Sequence, residues 1–321
     1  MMKRYEHLFN SNAEYEEYIE NNYEEPFVAV IKQQSGDDIL KFNLTEYEKL
    51  LEMPLTFEAL SDGVLRWGYD YYGEEDPYEG LPIEYRKNKG EWTTINPSQY
   101  EFDDDGVITG GGTSISVVSG DVVEFRGDYQ AYGDDWEEFQ HFLNGTGSFN
   151  LMGNIMSLVN STGYPSETVL QSAYAFAWLF SVNESIINAS KLILPATTLA
   201  NKCYSGMFDS CTSLTTAPEL PSTTLGNSCY RQMFYGCTSL TSAPSILPAT
   251  TLADYCYMGM FWGCTSLNYI KCLATDISAT SCTASWVNGV SSSGTFVKNP
   301  SMSSWSTGNS GIPTNWTVQD A

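Results

Sequence analysis

LPATTLANKCYSGMFDSCTSLTTAPE from Leu194, LPSTTLGNSCYRQMFYGCTSLTSAPS from Leu220 and LPATTLADYCYMGMFWGCTSLNYIKC from Leu247 are near-copies of one 26-residue unit. A fixed period of this length predicts a stack in which each unit buries its apolar face only against its neighbours. Such stacks present surfaces for binding more than pockets for chemistry. Positions that stay apolar in every copy are expected to form interior ladders: Leu199/Leu225/Leu252, Met207/Met233/Met260, Phe208/Phe234/Phe261 and Leu214/Leu240/Leu267. The CYxxMFxGC stretch has helix-like spacing and the TSLTTAP stretch reads as extended, so one short helix and one short strand per unit are expected. Positions that vary between copies are the candidate ligand-facing residues: Lys202, Ser228 and Tyr255; Ser205, Arg231 and Met258; Asp209, Tyr235 and Trp262.

All eight cysteines fall between Cys203 and Cys282, and six form pairs eight residues apart: 203/211, 229/237 and 256/264. Because they recur with the unit, they read as two ladders of buried thiols, packing as small apolar groups. Disulfide bridges are the alternative. Zinc needs ligands converging four at a time, and this spacing with no neighbouring histidine does not provide them. No metal and no cofactor are expected.

Upstream of the full copies, SAYAFAWLFSVNESIINASKLI is a degraded one, with Phe180 in the place of Phe208, Asn183 in that of Cys211 and Ile186 in that of Leu214. Atypical first and last units are what closing a stack requires. The array is therefore read as four or five units, with Trp286, Phe296, Trp305 and Trp316 of the Ser/Gly-rich tail covering the last apolar face.

Charge divides the 321-residue chain. Residues 1–143 carry 32 acidic against 10 basic side chains, and residues 144–321 carry 7 against 5. An acidic front repels phosphate backbones and anionic lipid, which argues against nucleic acid as a partner. The opening MMKRYEHLFNSNAEYEEYIENN has no apolar stretch of the kind export signals carry, and no run of 18 apolar residues predicts a membrane span. The chain is expected to remain where it is translated, which leaves its six N-x-S/T sequons unused.

Residues 1–53 read as a small docking module. A capping box (Ser11, Glu14) precedes the helix AEYEEYIENN, FVAVIK and ILKFN make a hairpin, and TEYEKLLEM makes a second helix. Over 54–143, LTFEAL, VLRWGYDYY, IEYRKNKGEWTTI and ISVVSGDVVEFRG alternate as half-buried strands, with turn chemistry at Asn88-Lys89-Gly90 and Ser119-Gly120-Asp121. This pattern predicts an antiparallel β-sandwich.

Signals for catalysis are weak. His7 and His141 are the two histidines, and no GxSxG or phosphate-loop motif occurs. Gly110-Gly111-Gly112 reads as a loop between strands, and His141 as a surface or core residue. Of two acidic loops, DYYGEEDPYEG and EFDDDGVI, the second half-matches a calcium loop through Glu101, Asp103, Asp105 and Gly106, but Gly112 stands where the bidentate Glu belongs. Solvated carboxylates are the better reading. Tyr69, Tyr71, Tyr72, Tyr78 and Trp92 suit either the sandwich core and rim or stacking on sugar rings.

The motif CYxGMFxGCTSLTTAPELPATTLA resembles the BspA-like leucine-rich repeats with their AFxxCxSLxxIxxP pattern. Here MF replaces AF, GCTSL is kept at Gly236–Leu240 and Gly263–Leu267, and Ser210 departs from it in the first copy. More loosely, TFEAL, SGDVVEFRG, GNIMSL and WVNGVSSSGTFVKNP are similar to proteins of gut Bacteroidales and their crAss-like phages. The EEYIENNYEEPFVAV segment is similar to N-terminal segments of virion proteins of those phages. The resemblance implies surface-displayed recognition and offers no catalytic residues to carry over.

The expected fold is mainly β with short helices (α+β). It comprises a small N-terminal anchor module (1–53), an antiparallel β-sandwich (54–143), a leucine-rich-repeat solenoid (144–280) and a C-terminal cap (281–321). The expected function is that of a non-enzymatic virion surface protein, a phage head or tail fibre or capsid decoration. It would be assembled in the host cytoplasm and bound to a capsid or other virion protein through residues 1–53. Its repeats would meet a host surface protein or glycan, without nucleic acid or membrane insertion, and a homo-oligomer suits the design. A bacterial cell-surface adhesin is the alternative, and a carbohydrate-active enzyme the third class.

Overall fold

The computed structural model describes residues 28–32, 38–71, 79–103, 108–133, 139–303 and 305–321. The expected helix over residues 13–22, the acidic stretches at 72–78 and 104–107, and Tyr72 and Tyr78 lie outside the described residues.

The chain is mainly β, with very few helices. Strands β1 (Val28–Lys32) and β2 (Asp38–Asn43) pair as the expected antiparallel hairpin and lead into helix α1 (Leu44–Leu51). Then follow β3 (Leu55–Ala59), β4 (Gly63–Tyr71), β5 (Ile83–Lys87), β6 (Thr93–Ile95), β7 (Ser98–Phe102), β8 (Ile108–Gly111), β9 (Thr113–Val117) and β10 (Val122–Arg126). β11 (Phe139–Thr146), β12 (Phe149–Asn154), β13 (Val169–Leu170), β14 (Ile186–Ile193) and β15 (Thr198–Leu199) lead into the copies, and β16 (Tyr269–Cys272), β17 (Thr295–Lys298) and β18 (Thr317–Asp320) close the chain. One sheet has the order β14-β12-β3-β10-β5-β6. A second has β11-β4-β7-β8, with β9 also on β4.

Alternation explains the strands. In β4, Leu65 and Trp67 are fully buried while the alternating Val64 and Arg66 are not; in β10, Val123 and Phe125 are fully buried. Side chains from both sheets meet in a single apolar core that continues through the copies to Trp316. Phe57 shows how: its ring meets Phe125, Phe149 and Phe180 edge-on at 5.8, 5.8 and 6.0 Å, so one β3 side chain joins both regions. Each such aromatic is worth about 2–3 kcal/mol when fully buried. Asn88 (φ 52°) and Lys89 (φ 58°) form the expected turn, closed by Gly90 N–H donating to Lys87 O at 3.0 Å. Leu50 and Leu51 at the end of α1 are buried against Ile193 with Tyr47, Met53 and Met152 around them.

The helix expected in each copy is absent. Its place is taken by a run of overlapping turns in which alternate N–H groups point in different directions. Tyr204, Gly206, Phe208 and Ser210 donate to Cys229, Arg231, Met233 and Tyr235 of the next copy, whereas Ser205, Met207, Asp209 and Cys211 donate three residues back. An α-helix would need every N–H to reach four residues back. Satisfying the neighbouring copy forbids this. Left-handed backbone recurs every fourth residue, at Lys202, Gly206 and Ser210, at Ser228, Gln232 and Gly236, and at Tyr255, Gly259 and Gly263. The result is two residues in, two out: Cys203, Tyr204, Met207 and Phe208 are fully buried, and the pairs between them face the other way.

The extended parts pair in parallel from copy to copy, Asn188 to Thr216 to Ser242 and Thr198 to Thr224. Threonine hydroxyls reinforce the rows, Thr215 Oγ1 donating to Ile187 O at 2.8 Å and Thr241 Oγ1 to Thr215 O at 3.2 Å. Three of the four expected interior ladders are wholly buried; in the leucine ladder, Leu225 is only half-buried.

Candidate binding surface

Two aromatic columns set the spacing of everything outside them. Tyr132, Phe176, Tyr204, Tyr230, Tyr257, Trp286 and Trp305 stack in series, with ring centroids 5.7–6.3 Å apart. Phe180, Phe208, Phe234 and Phe261 form the second, 5.3–5.8 Å apart. The tyrosine column was not among the expected ladders, although its signal, the recurring CY dipeptide, stands in every full copy.

The array starts on an edge of the second sheet. Leu143 N–H of β11 donates to Leu179 O at 2.8 Å, and Asn144 Nδ2 to Val182 O at 3.2 Å. Asn183 explains its own substitution. In later copies each thiol donates to the preceding phenylalanine carbonyl, Cys211 to Phe180 O, Cys237 to Phe208 O and Cys264 to Phe234 O, all at 3.0 Å. Asn183 instead reaches Leu143 O of β11 at 3.0 Å, so a longer amide replaces the thiol where the neighbour is a strand.

At the other end the turn pattern continues past residue 280, through Ser281 and Ser285, both left-handed. Trp286 occupies the place of Met260, while Thr283 and Val287 stand where Tyr257 and Phe261 stood. The smaller neighbours make room for an indole that meets both Tyr257 (6.1 Å) and Phe261 (6.3 Å) and donates to Gly311 O at 2.8 Å. Phe296 is buried against it, at 6.0 Å, Trp316 is buried in the same core and donates to Ser291 O at 2.8 Å, and β16, β17 and β18 pair in parallel.

All eight cysteines are free and buried. Burial pushes the thiols of Cys203, Cys256 and Cys272 up to about 12, which leaves almost no thiolate, the reactive form, at neutral pH.

On the outward positions the structure sorts the candidates. Lys202 lies with its ammonium 4.6 Å from the centre of the Tyr174 ring and hydrogen-bonds the Tyr174 hydroxyl. Asp209 is half-buried; burial lifts its carboxyl to about 6, against which Ser210 Oγ donates at 2.8 Å. Arg231 and Met258 are half-buried, and Arg231 Nε has no hydrogen-bond partner among the described residues. Tyr235 is half-buried, its ring 5.7 Å from that of Trp262 and tilted by 40°. Trp262 and Tyr255 are 38% and 39% exposed. Ser205 and Ser228 depart from expectation, for both are buried. Ser205 Oγ donates to Arg231 O at 3.2 Å, next to Gly206, over which the Trp178 indole lies. Ser228, a short side chain, sits in its row between Lys202 and Tyr255. Beside the Asp209/Tyr235/Trp262 row runs a glycine row, Gly236, Gly263 and Gly289, at φ 69°, 77° and 77°.

Other singled-out residues have structural surroundings. His141 is fully buried and stacked on Trp67 at 5.2 Å. Its Nε2 accepts from Leu81 N–H at 2.9 Å, so Nδ1 carries the proton toward Tyr132 O at 3.1 Å, and burial lowers its pKa to about 4. Two guanidinium groups lie over the Trp92 ring, Arg86 at 4.7 Å and Arg126 at 4.1 Å from its centre. The glycine run expected as a loop is mostly strand: Gly110 and Gly111 end β8, paired with Glu101 and Tyr100, and Gly112 alone links it to β9. Gly111 and Gly112 have φ 72° and 69°, and a Cβ on Gly111 would lie 2.1 Å from Gln99 O. Asp103 is exposed, while Asp105 and Gly106 of the calcium-like loop lie outside the described residues. Among the described residues no His/Cys/Asp/Glu group is placed to hold a metal ion, and no helix is long and apolar enough to cross a membrane. No family model, curated protein or solved structure matches this chain.

Proposed function

We propose that the chain is a non-enzymatic virion surface protein, a phage head or tail fibre or capsid decoration, that displays a BspA-like leucine-rich-repeat solenoid for adhesion to a host surface or gut glycan. In this reading residues 1–53 attach to the particle, a β-sandwich over 54–143 carries the load, and the repeats with their cap face outward. The observation that carries it is the division within each copy. The inward pairs are nearly invariant and stack on their own kind, while the outward positions change from Lys202 and Asp209 to Ser228 and Tyr235 to Tyr255 and Trp262. An interior held constant beneath a varied exterior is the economy of a display scaffold. The eight free thiols suit assembly in a reducing cytoplasm.

Mass spectrometry of purified particles tests the assignment. The chain is expected at a fixed stoichiometry to the capsid protein, and its absence from particles sinks the virion reading. A chain released instead by proteolysis of intact bacterial cells would establish the cell-surface alternative.

A further inference from the structure

The third copy differs from its neighbours in one chemical respect. Where the first copies carry Lys202 and Ser228 it carries Tyr255, and where they carry Asp209 and Tyr235 it carries Trp262. Tyr255 and Trp262 are among the few large apolar side chains that are exposed, and both belong to the outward pairs of this one copy. Trp262 does not stand alone: Tyr235 leans beside it at 5.7 Å, a step about as long as one sugar ring. Alongside, Gly236 and Gly263 leave the backbone bare, for a Cβ on Gly263 would lie 3.6 Å from Gly236 Cα with nothing above. The Asp209 carboxyl precedes Tyr235 in the Trp262 row, and Arg231 stands in the neighbouring Ser205/Arg231/Met258 row, its Nε buried and without a partner among the described residues. Thr238, Thr265 and Ser266 are exposed in the same copies, with their hydroxyls donating to backbone carbonyls of the copy before, at Thr212 O for Thr238 and at Thr238 O for the other two.

Size and charge select the occupant. A stable protein partner needs on the order of 1,000 Å² of buried surface around an apolar centre, and two rings less than 40% exposed do not supply it. Polyanions are disfavoured by the Asp209 carboxylate in the row and by the absence of a basic cluster, since residues 144–321 carry 7 acidic against 5 basic side chains. A neutral pyranose has an apolar face for an aromatic ring and hydroxyls around its edge for a carboxylate, a guanidinium and backbone groups. That matches a site of a few aromatic surfaces with a small number of polar groups.

We propose that Trp262 and Tyr235 form the stacking platform of a glycan subsite that takes a neutral, linear pyranose chain across the three copies, with Asp209 of the first and Arg231 of the second meeting its hydroxyls. The inference rests on the display reading above and names its ligand class.

The test is titration of the full chain, by calorimetry and tryptophan fluorescence, with linear hexasaccharides of β-1,4-glucose, β-1,4-N-acetylglucosamine, β-1,4-mannose and α-1,4-glucose. At least one is expected to bind saturably. Trp262→Ala and Tyr235→Ala are each expected to weaken it tenfold or more, Trp262→Phe to retain most of the affinity, and Tyr269→Ala, an exposed aromatic in the extended part of the same copy, to leave it unchanged. Unaltered circular dichroism and melting of the variants separate loss of the platform from loss of fold. Absence of binding by all four sugars, or binding indifferent to Trp262→Ala, overturns the proposal. Adhesion of the full chain to intact cells separates the two claims. Adhesion that ignores Trp262→Ala and excess hexasaccharide leaves display standing without the glycan subsite. Sugar binding through Trp262 with adhesion to no cell does the reverse.

Discussion

Before residue 144 every strand has its own sequence and pairs with a strand unlike itself; within the copies, each interior side chain lies on its own kind. The difference shows in the charges. On β5 and β10 the antiparallel register sets Arg86 opposite Glu124 and Glu84 opposite Arg126, with Nε–Oε2 distances of 2.7 Å in both pairs. Unlike sequences can place opposite charges face to face. A repeated sequence cannot. Stacked copies bring equivalent residues within about a strand spacing of each other, so a charge written into the template would meet itself in every neighbour. The scarcity of charge after residue 144, 7 acidic and 5 basic side chains against 32 and 10 before it, agrees with that geometry. Ser, Thr and Gly fill much of the outward template, and in the three copies charge enters singly, as Lys202, Asp209, Glu219, Arg231, Asp254 and Lys271.

The comparison can be broken at its joint. Phe234 is fully buried between Phe208 and Phe261, and Phe234→Ala is expected to cost about 4 kcal/mol. If the apolar core is one cooperative unit, denaturant unfolding followed by near-ultraviolet and far-ultraviolet dichroism stays a single transition of lower midpoint. Two separated transitions would show that the array unfolds without the front.

A second test uses the opposite responses of the two regions to acid. His141, in the front, has a folded pKa of about 4 against 6.5 when free. Between those values the unfolded chain binds more protons, so the His141 contribution is complete above pH 6.5 and is lost as pH falls, by about 3 kcal/mol in all. Urea midpoints at pH 7 and pH 4.5, with the His141 imidazole titration followed by NMR, check this; an imidazole that titrates near 6.5 refutes it.

Asp209, in the array, has the reverse sign. Its carboxyl is raised from 3.8 to about 6 by burial, so the folded chain binds more protons in that window and stability falls as pH rises through it. Asp209→Asn removes the buried charge while keeping an acceptor for Ser210. It is expected to stabilise the protein by about 1–2 kcal/mol at pH 7 and by nothing below pH 4. A pH-independent effect in thermal melts would place the carboxylate in water.

Much of this was legible in advance because local chemistry repeats it. Alternation located β3, β4, β5 and β10, and the hairpin and helix of residues 28–51 followed from turn and apolar signals. The degraded copy was aligned through Phe180, Asn183 and Ile186. The helix expected of CYxxMFxGC failed for a specific reason. Pairs of inward residues every four positions mimic the period of a helix, and nothing local distinguishes a turn of helix from a chain of turns whose hydrogen bonds go to another copy. Ser205 and Ser228 vary in sequence as surface positions do, yet what covers them comes from neighbouring copies.

The sequence by itself determined the period, the apolar interior and the division of charge, since each is written in residue type and spacing. Tertiary structure alone decided which outward residues reach solvent and where the stack begins. Asn183 finds its partner in β11 forty residues earlier, and Trp262 gains Tyr235 from the copy before it. A side chain's surroundings here are set across the stack, perpendicular to the chain, and a linear reading of one copy does not contain them.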